Sequence, residues 1–211
     1  MIQNLIKMKQ TFQFLLTLLL AVFILAPSVH AQKKSKRKKG PSGKVVFYGV
    51  DFSQARFIGK EGFTDPPELQ ENFLPKWNHL IINEEEKYDV KKALNKSNLE
   101  YYFDVVTERN AAVDPEVLVT NSNHSISKED VTKVVAGLGS EAHTSGLGAV
   151  IVVESFDKRS DIGTMWLTTF DIATLTVKKT QRMSAKARGF GIRNYWARTI
   201  FEVLEDAQKK F

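Results

Sequence analysis

The loop Gly139-Ser140-Glu141-Ala142-His143-Thr144-Ser145-Gly146 holds two serines, a glutamate and a histidine close together. A serine nucleophile needs an imidazole to take its proton and a carboxylate to orient that imidazole, all on a sharp, rigid turn. Neighbours in sequence need not converge in space, and a glycine-flanked loop is a poor platform for such geometry. Asp51, Glu154, Asp157 and Asp171 fall at the ends of predicted strands, where two facing carboxylates would serve as acid and base. No spacing rule pairs them, and acids at strand ends commonly form turns. No catalytic residue is therefore assigned, and an enzymatic role is the less favoured of two readings.

The turn Gly189-Phe190-Gly191-Ile192-Arg193-Asn194, with Arg188 beside it, joins a predicted strand to a predicted helix. Such a turn presents backbone amides to an anion at a helix start. Asn194 stands where a dinucleotide loop has its third glycine, and no acidic ribose partner follows on a strand. A simple anion or a partner's carboxylate at Arg188 and Arg193 fits the pattern, and so does a plain tight turn. The segment Phe52 to Gly59 follows a strand's carboxyl end, where ligand sites of α/β proteins often lie. Asp51, Arg56, Phe57, Arg188, Arg193 and Asn194 are thus the candidates for ligand or partner binding, although packing of Phe57 on Trp77 explains that residue equally well. His79, His124 and His143 show no metal-binding spacing, and the chain has no cysteine. No metal site and no cofactor are expected.

The elements that must position these residues follow from periodicity. Val45 to Phe52 reads as a buried strand and Ser53 to Phe63 as a loop. Asp65 caps a helix carrying Leu69, Phe73, Trp77, Leu80 and Ile81, which Pro75 should break or kink. A second helical stretch begins at Glu84-Glu85-Glu86, with Tyr88 or Val90 and Leu94 facing inward. Leu99 to Glu108 reads as the second strand. Ser127 and Asp130 resemble a capping box opening a helix that ends at Gly137 or Gly139. Ala149 to Phe156, Thr164 to Ile172 and Thr176 to Ala185 form a three-stranded meander, and Ile192, Trp196, Ile200, Val203 and Ala207 mark a last amphipathic helix. The expected fold is α/β (α+β): a mixed sheet of four to five strands covered by helices, in a single domain over residues 44–211.

The amino-terminal segment has the composition of an export signal. Lys7 and Lys9 precede an apolar run of 13 residues, Phe14 to Ala26, followed by Pro27 and the small-residue pattern Val29-His30-Ala31. The run is shorter than the roughly 18 residues that span a bilayer. Lys33, Lys34, Lys36, Arg37, Lys38 and Lys39 come next, and cations on that side favour a reverse-oriented anchor with a cytoplasmic domain. Cleavage after Ala31 and a periplasmic or secreted domain is the favoured reading, the anchor its alternative. Without cysteine there is no site for a lipoprotein's lipid.

The chain holds 30 Lys and Arg against 24 Asp and Glu. Two of the cations lie in the signal and six in the segment 32–43, so the domain itself counts 22 against 24, a net −2. The basicity belongs to that segment and not to a binding face of the domain. Its six cations suit an anionic envelope surface. Nucleic acid is not an expected partner, because no aromatic residues interleave with the cations for stacking on bases.

The run Gly148 to Ala207, in which AVIVVESF leads to a strand ending FDIAT, then a strand and a terminal helix, resembles the amino-terminal domain of TolB. It is similar also to the periplasmic domains of the CsgG and LpoB families. Those families join their last two strands by a V-D-x-x-T-G turn. Phe170-Asp171-Ile172-Ala173-Thr174 stands in that place here, with Leu175 at the glycine. GVDFSQARFIG and GFGIRNYWARTIFEVLED also resemble exported proteins of Gram-negative bacteria. The resemblance implies an α/β accessory domain binding a protein or another envelope component. The alternative is a hydrolase or small-ligand binder with a cleft near residues 53–58 and 188–194. Mass analysis of the native amino terminus is expected to find Gln32 as the first residue. An intact Met1 in a cytoplasmic fraction contradicts the export reading.

Overall fold

The computed structural model describes residues Ser42 to Phe211. The expected signal, its expected cleavage position and the six cations of the basic segment lie outside the described residues.

Two short runs of β-branched and aromatic residues make the centre of the sheet. β1 (Lys44–Asp51) pairs in parallel with both β3 (Asn98–Tyr101) and β5 (Leu147–Asp157). With neighbours on both edges and side chains covered on both faces, every β1 residue after Lys44 is buried. β2 (Arg56–Ile58) continues along the same edge of β5 and has β4 (Val119–Thr120) on its outer side. β1 and β2 are thus one long strand interrupted at Phe52 to Ala55. On the other edge of β5, β6 (Ile162–Asp171) and β7 (Thr176–Lys186) complete the expected antiparallel meander.

The mixed α/β sheet therefore has seven strands among the described residues. The strands beyond the four or five expected are β2 and β4, of three and two residues; such pieces are too short for a period of two to register. The expected strand Leu99 to Glu108 is corrected: it ends at Tyr101, and α4 (Asp104–Ala111) begins three residues later. Val105 and Val106 favour strand by propensity, but burial of Val106 against the sheet face outweighs that preference.

Two apolar layers sandwich the sheet. On one face lie α2 (Leu74–Asn83), α3 (Val90–Ala93) and α7 (Ile192–Ala207), around Phe52, Phe57, Phe63, Trp77, Phe156 and Trp196. Phe156 and Trp196 stack at 4.8 Å and Phe57 and Phe156 at 5.2 Å. On the other face, α6 (Lys128–Ala136) and part of α4 cover Tyr48, Val150, Val152, Trp166 and Phe170. The capping box that opens α6 forms as expected, with Ser127 and Asp130 bonding reciprocally. The Ser127 amide, with help from the Lys133 ammonium and the Ser127 hydroxyl, bonds the Asp130 carboxylate and lowers its pKa to about 2. Asp65 caps α1 (Pro66–Glu68) by accepting from the Glu68 amide. Pro75 does not break the helical path. A single π-turn over Leu69–Phe73 precedes it, and Pro75 enters the first turn of α2, where its missing amide costs least. α5 (Pro115–Leu118) is a single turn capped by Asp114, which accepts the Glu116 amide at 2.9 Å.

The interruption between β1 and β2 lies opposite the gap between β3 and β4, so the chain there has no strand partner on its outer side. Two buried asparagines substitute for one. The Asn78 side chain accepts the Val50 amide at 2.7 Å and donates to the Val50 carbonyl at 2.9 Å. Asn110 donates to that same carbonyl at 2.9 Å and accepts the Phe52 amide at 2.7 Å. Gly49 makes room for this contact: at φ +102 it forms a bulge against β5, and a Cβ there would stand 2.6 Å from Asn78 Oδ1.

Replacing Asn78 by Leu strands the Val50 amide in the core, and replacing Asn110 by Leu strands that of Phe52. Each orphaned amide costs ~1–3 kcal/mol. Urea unfolding is expected to show losses in that range for both variants, and losses below about 0.5 kcal/mol contradict the assignment.

Candidate functional site

Asp51 ends β1 fully buried, with its charge committed. Arg109 donates to Oδ2 through Nε at 2.6 Å, while the Ser53 amide and hydroxyl both donate to Oδ1, at 2.8 and 2.5 Å. Arg109 also donates to the Ser53 hydroxyl at 2.8 Å, closing a ring of three side chains. A buried carboxylate survives only with such compensation. Asp51 is thereby the anchor of the strand break and is turned away from solvent. Sequence reasoning singled out Asp51 but missed Arg109, which lies 58 residues away with no local signal linking the two.

Arg56 stays partly exposed, and its guanidinium donates to its neighbour's carbonyl, that of Ala55, at 2.7 Å. Together with Ser53, Gln54, Arg109 and Asp114 it borders an open depression of 380 Å³, whose remaining walls are Ala112 and Val113, between α4 and α5, and Val117 of α5, and not the Arg188 to Asn194 turn. Phe57 lies in the core, 5.9 Å from Trp77, as the packing reading of that residue has it.

A second buried acid lies further along the sheet. Glu154 receives both Arg182 Nη2 and Nε, at 2.6 and 2.9 Å, and the Trp166 indole at 3.0 Å. This carboxylate too is committed, and its bonds hold the Arg182 guanidinium above its ordinary pKa. A depression of 220 Å³ beside the pair is bordered by His124, Ser155, Asp157 and Thr164. His124 there bonds the Gln54 carbonyl at 2.9 Å. Asp157 bonds Arg159, which holds the carboxyl below its ordinary range.

The serine-rich loop folds over the opposite face. Ser140 and the Tyr102 hydroxyl bond at 2.6 Å, and His143 packs edge-on to the Tyr102 ring at 4.7 Å with its Nε2 3.6 Å from Glu100. The histidine thus meets an acid from β3, and the serine meets a tyrosine. Beneath them the Tyr48 hydroxyl is buried without a hydrogen-bond partner among the described residues, and burial pushes its pKa up to about 12.

The β7–α7 turn is held at both ends. The Ala187 amide donates to the Asp161 carbonyl at 2.7 Å, and Trp77 donates through its indole to the Arg193 carbonyl at 2.9 Å. Arg188 and Arg198 both bond Glu202; burial raises that carboxyl, but the two guanidiniums outweigh it and hold it below its ordinary range. Gly189 at φ +131 and Gly191 at φ +74 give the turn its shape. Between them Phe190 is 94% exposed, the most exposed large apolar side chain among the described residues. Arg193 and Asn194 are also exposed and bond one another at 3.2 Å. Sequence reasoning read this turn for its amides and arginines. The feature it presents is the aromatic ring.

Among the described residues no three His, Asp or Glu side chains stand close enough to share a metal ion, and no helix is long and apolar enough to cross a membrane. Comparisons with protein families, with characterised proteins and with solved structures found no match.

The Asp51–Arg109 pair provides a test of its own importance. Arg109→Leu leaves a buried carboxylate short of its cation and is expected to cost ~3–5 kcal/mol. The double variant Asp51→Asn, Arg109→Leu is expected to recover at least about 1 kcal/mol of that loss. Additive losses in urea unfolding contradict the pairing.

Proposed function

We propose that the protein is an exported accessory domain that acts without catalysis, binding another component of the cell envelope. The observation that carries this reading is Phe190. A ring exposed to 94% is held out between two positive-φ glycines on a turn fixed at both ends. Exposed aromatics on fixed supports suit docking, because little side-chain freedom is lost when they are covered. Arg188 and Arg193 flank the ring, so the surface it offers combines an apolar anchor with positive charge.

The state of the acids favours the same reading. Asp51, at the end of β1, and Glu154, inside β5, are buried carboxylates that are each bonded to an arginine, so neither faces an open cleft as an unengaged acid. The likeness of the carboxy-terminal third to TolB, CsgG and LpoB periplasmic domains points to accessory binding as well. Leu175 departs from the pattern of those families by standing at the glycine, although its φ of 51° is a conformation glycine adopts at less cost. After cleavage near Ala31, the cations Lys33 to Lys39 would give the new amino terminus a second contact with an anionic envelope surface.

A benzophenone side chain placed at position 190 and illuminated in intact cells is expected to give discrete adducts of the full chain. The same group in place of Val117, which is exposed beside the Ser53 depression, is expected to give none. Phe190→Ala should unfold within about 0.5 kcal/mol of the wild type, because the ring supports nothing in the domain. Adducts from position 117 alone favour the small-ligand or hydrolase alternative and contradict the proposal.

A further inference from the structure

β7 forms an edge of the sheet. It pairs with β6 on one side and, among the described residues, with no strand on the other. Alternate residues of an antiparallel edge strand turn N–H and C=O outward, so β7 offers a row of hydrogen-bonding groups along 11 residues, a length of roughly 35 Å. Exposed edges of this kind pair readily with other chains unless something prevents it.

The other edge strands are blunted by shortness: β3 has four residues and β4 two. β7 contains neither proline nor glycine, and its register irregularity is confined to the end near Thr176. What protects it is charge. Lys178, Lys179, Arg182 and Lys186 lie on it, and it carries no acid. The Arg182 side chain remains 49% exposed while bonded to Glu154, and Thr180 and Ser184 lie on the same strand face, bonded to Thr168 and Thr164 of β6.

That charge pattern selects the occupant. Lys178 and Arg182 are partly offset by Asp171 of β6 and Glu154 of β5, but the four cations outnumber those two acids, so a second copy would set like net charge beside like, which opposes self-pairing. An extended segment bearing Asp or Glu turns the same charges into attraction. Phe190 lies four residues beyond Lys186, at the end of the strand, where it can anchor an apolar residue of the incoming segment. A lipid surface would engage the cations and the ring but would leave the outward amides of β7 without strand partners.

We propose that β7 takes up an extended acidic segment of a partner protein by strand addition. The proposal rests on the reading of the Phe190 corner as a docking point and names the chemistry of what docks there.

The test is hydrogen exchange on the full chain with three probes. These are a synthetic peptide of about ten residues alternating Glu with Thr and Val, its Lys-for-Glu counterpart, and vesicles containing phosphatidylglycerol. With the Glu peptide, alternate β7 amides are expected to slow at least about tenfold, and with the Lys peptide they should not change. The variant Lys186→Glu, which alters an exposed position on the strand face of Arg182, is expected to weaken Glu-peptide binding about threefold and to reduce its salt dependence. Four outcomes overturn the proposal: unchanged β7 amides, binding indifferent to these charges, protection that arises from dimerisation without peptide, or vesicle binding that leaves β7 unprotected while the Glu peptide fails. If position-190 adducts persist while β7 stays unprotected, strand addition fails and the docking corner stands. Loss of both removes the two together.

Discussion

The structure depends on how a broken strand is held in the middle of a sheet. β1 and β2 share one edge of β5, and between them the chain leaves the sheet for four residues, Phe52 to Ala55. An interruption there would leave backbone groups unpaired in the core, where each costs about as much as a buried hydrogen bond. Asn78 from α2 and Asn110 from α4 supply the missing partners for Val50 and Phe52. The neighbouring residue of α4, Arg109, neutralises Asp51 at the same break. Two helices are thus tied to the central strand by directional bonds as well as by apolar contact.

Other features of the sheet follow from this break. Because the outer side of the β1–β2 path is occupied by α4 between β3 and β4, the sheet has no long strand at that side. The three longest strands, β5, β6 and β7, form the meander, whose last member is left at the edge. The aromatic layer formed by Phe57, Trp77, Phe156 and Trp196 links the break to α7. The Trp77 indole bond to Arg193 extends that link to the turn carrying Phe190. The two buried acids of the sheet, Asp51 and Glu154, are bound to Arg109 and Arg182.

Much of the fold was legible in the sequence where the signal was local and long. The meander, the terminal helix, the Asp65 cap and the Ser127–Asp130 capping box all rest on patterns within a few residues. The break was not legible, because its bonds join residues 28 to 60 positions apart and asparagine has no distinctive periodicity. The helix α4 was hidden within a run whose β-branched residues favour strand. At the candidate site, Arg188, Arg193 and the glycines were visible as a turn. The exposure of Phe190 was not, since an aromatic between glycines reads equally well as core. Asp51 was conspicuous for its place at a strand end, whereas its commitment to Arg109 required tertiary contact to appear.

Hydrogen exchange at the Val50 and Phe52 amides tests most directly whether two side chains hold the central strand. If they do, both amides exchange only through global opening, with the same free energy and denaturant dependence as amides in the middle of β5. Exchange of either amide at the rate of the Ser53 to Ala55 segment would contradict the account.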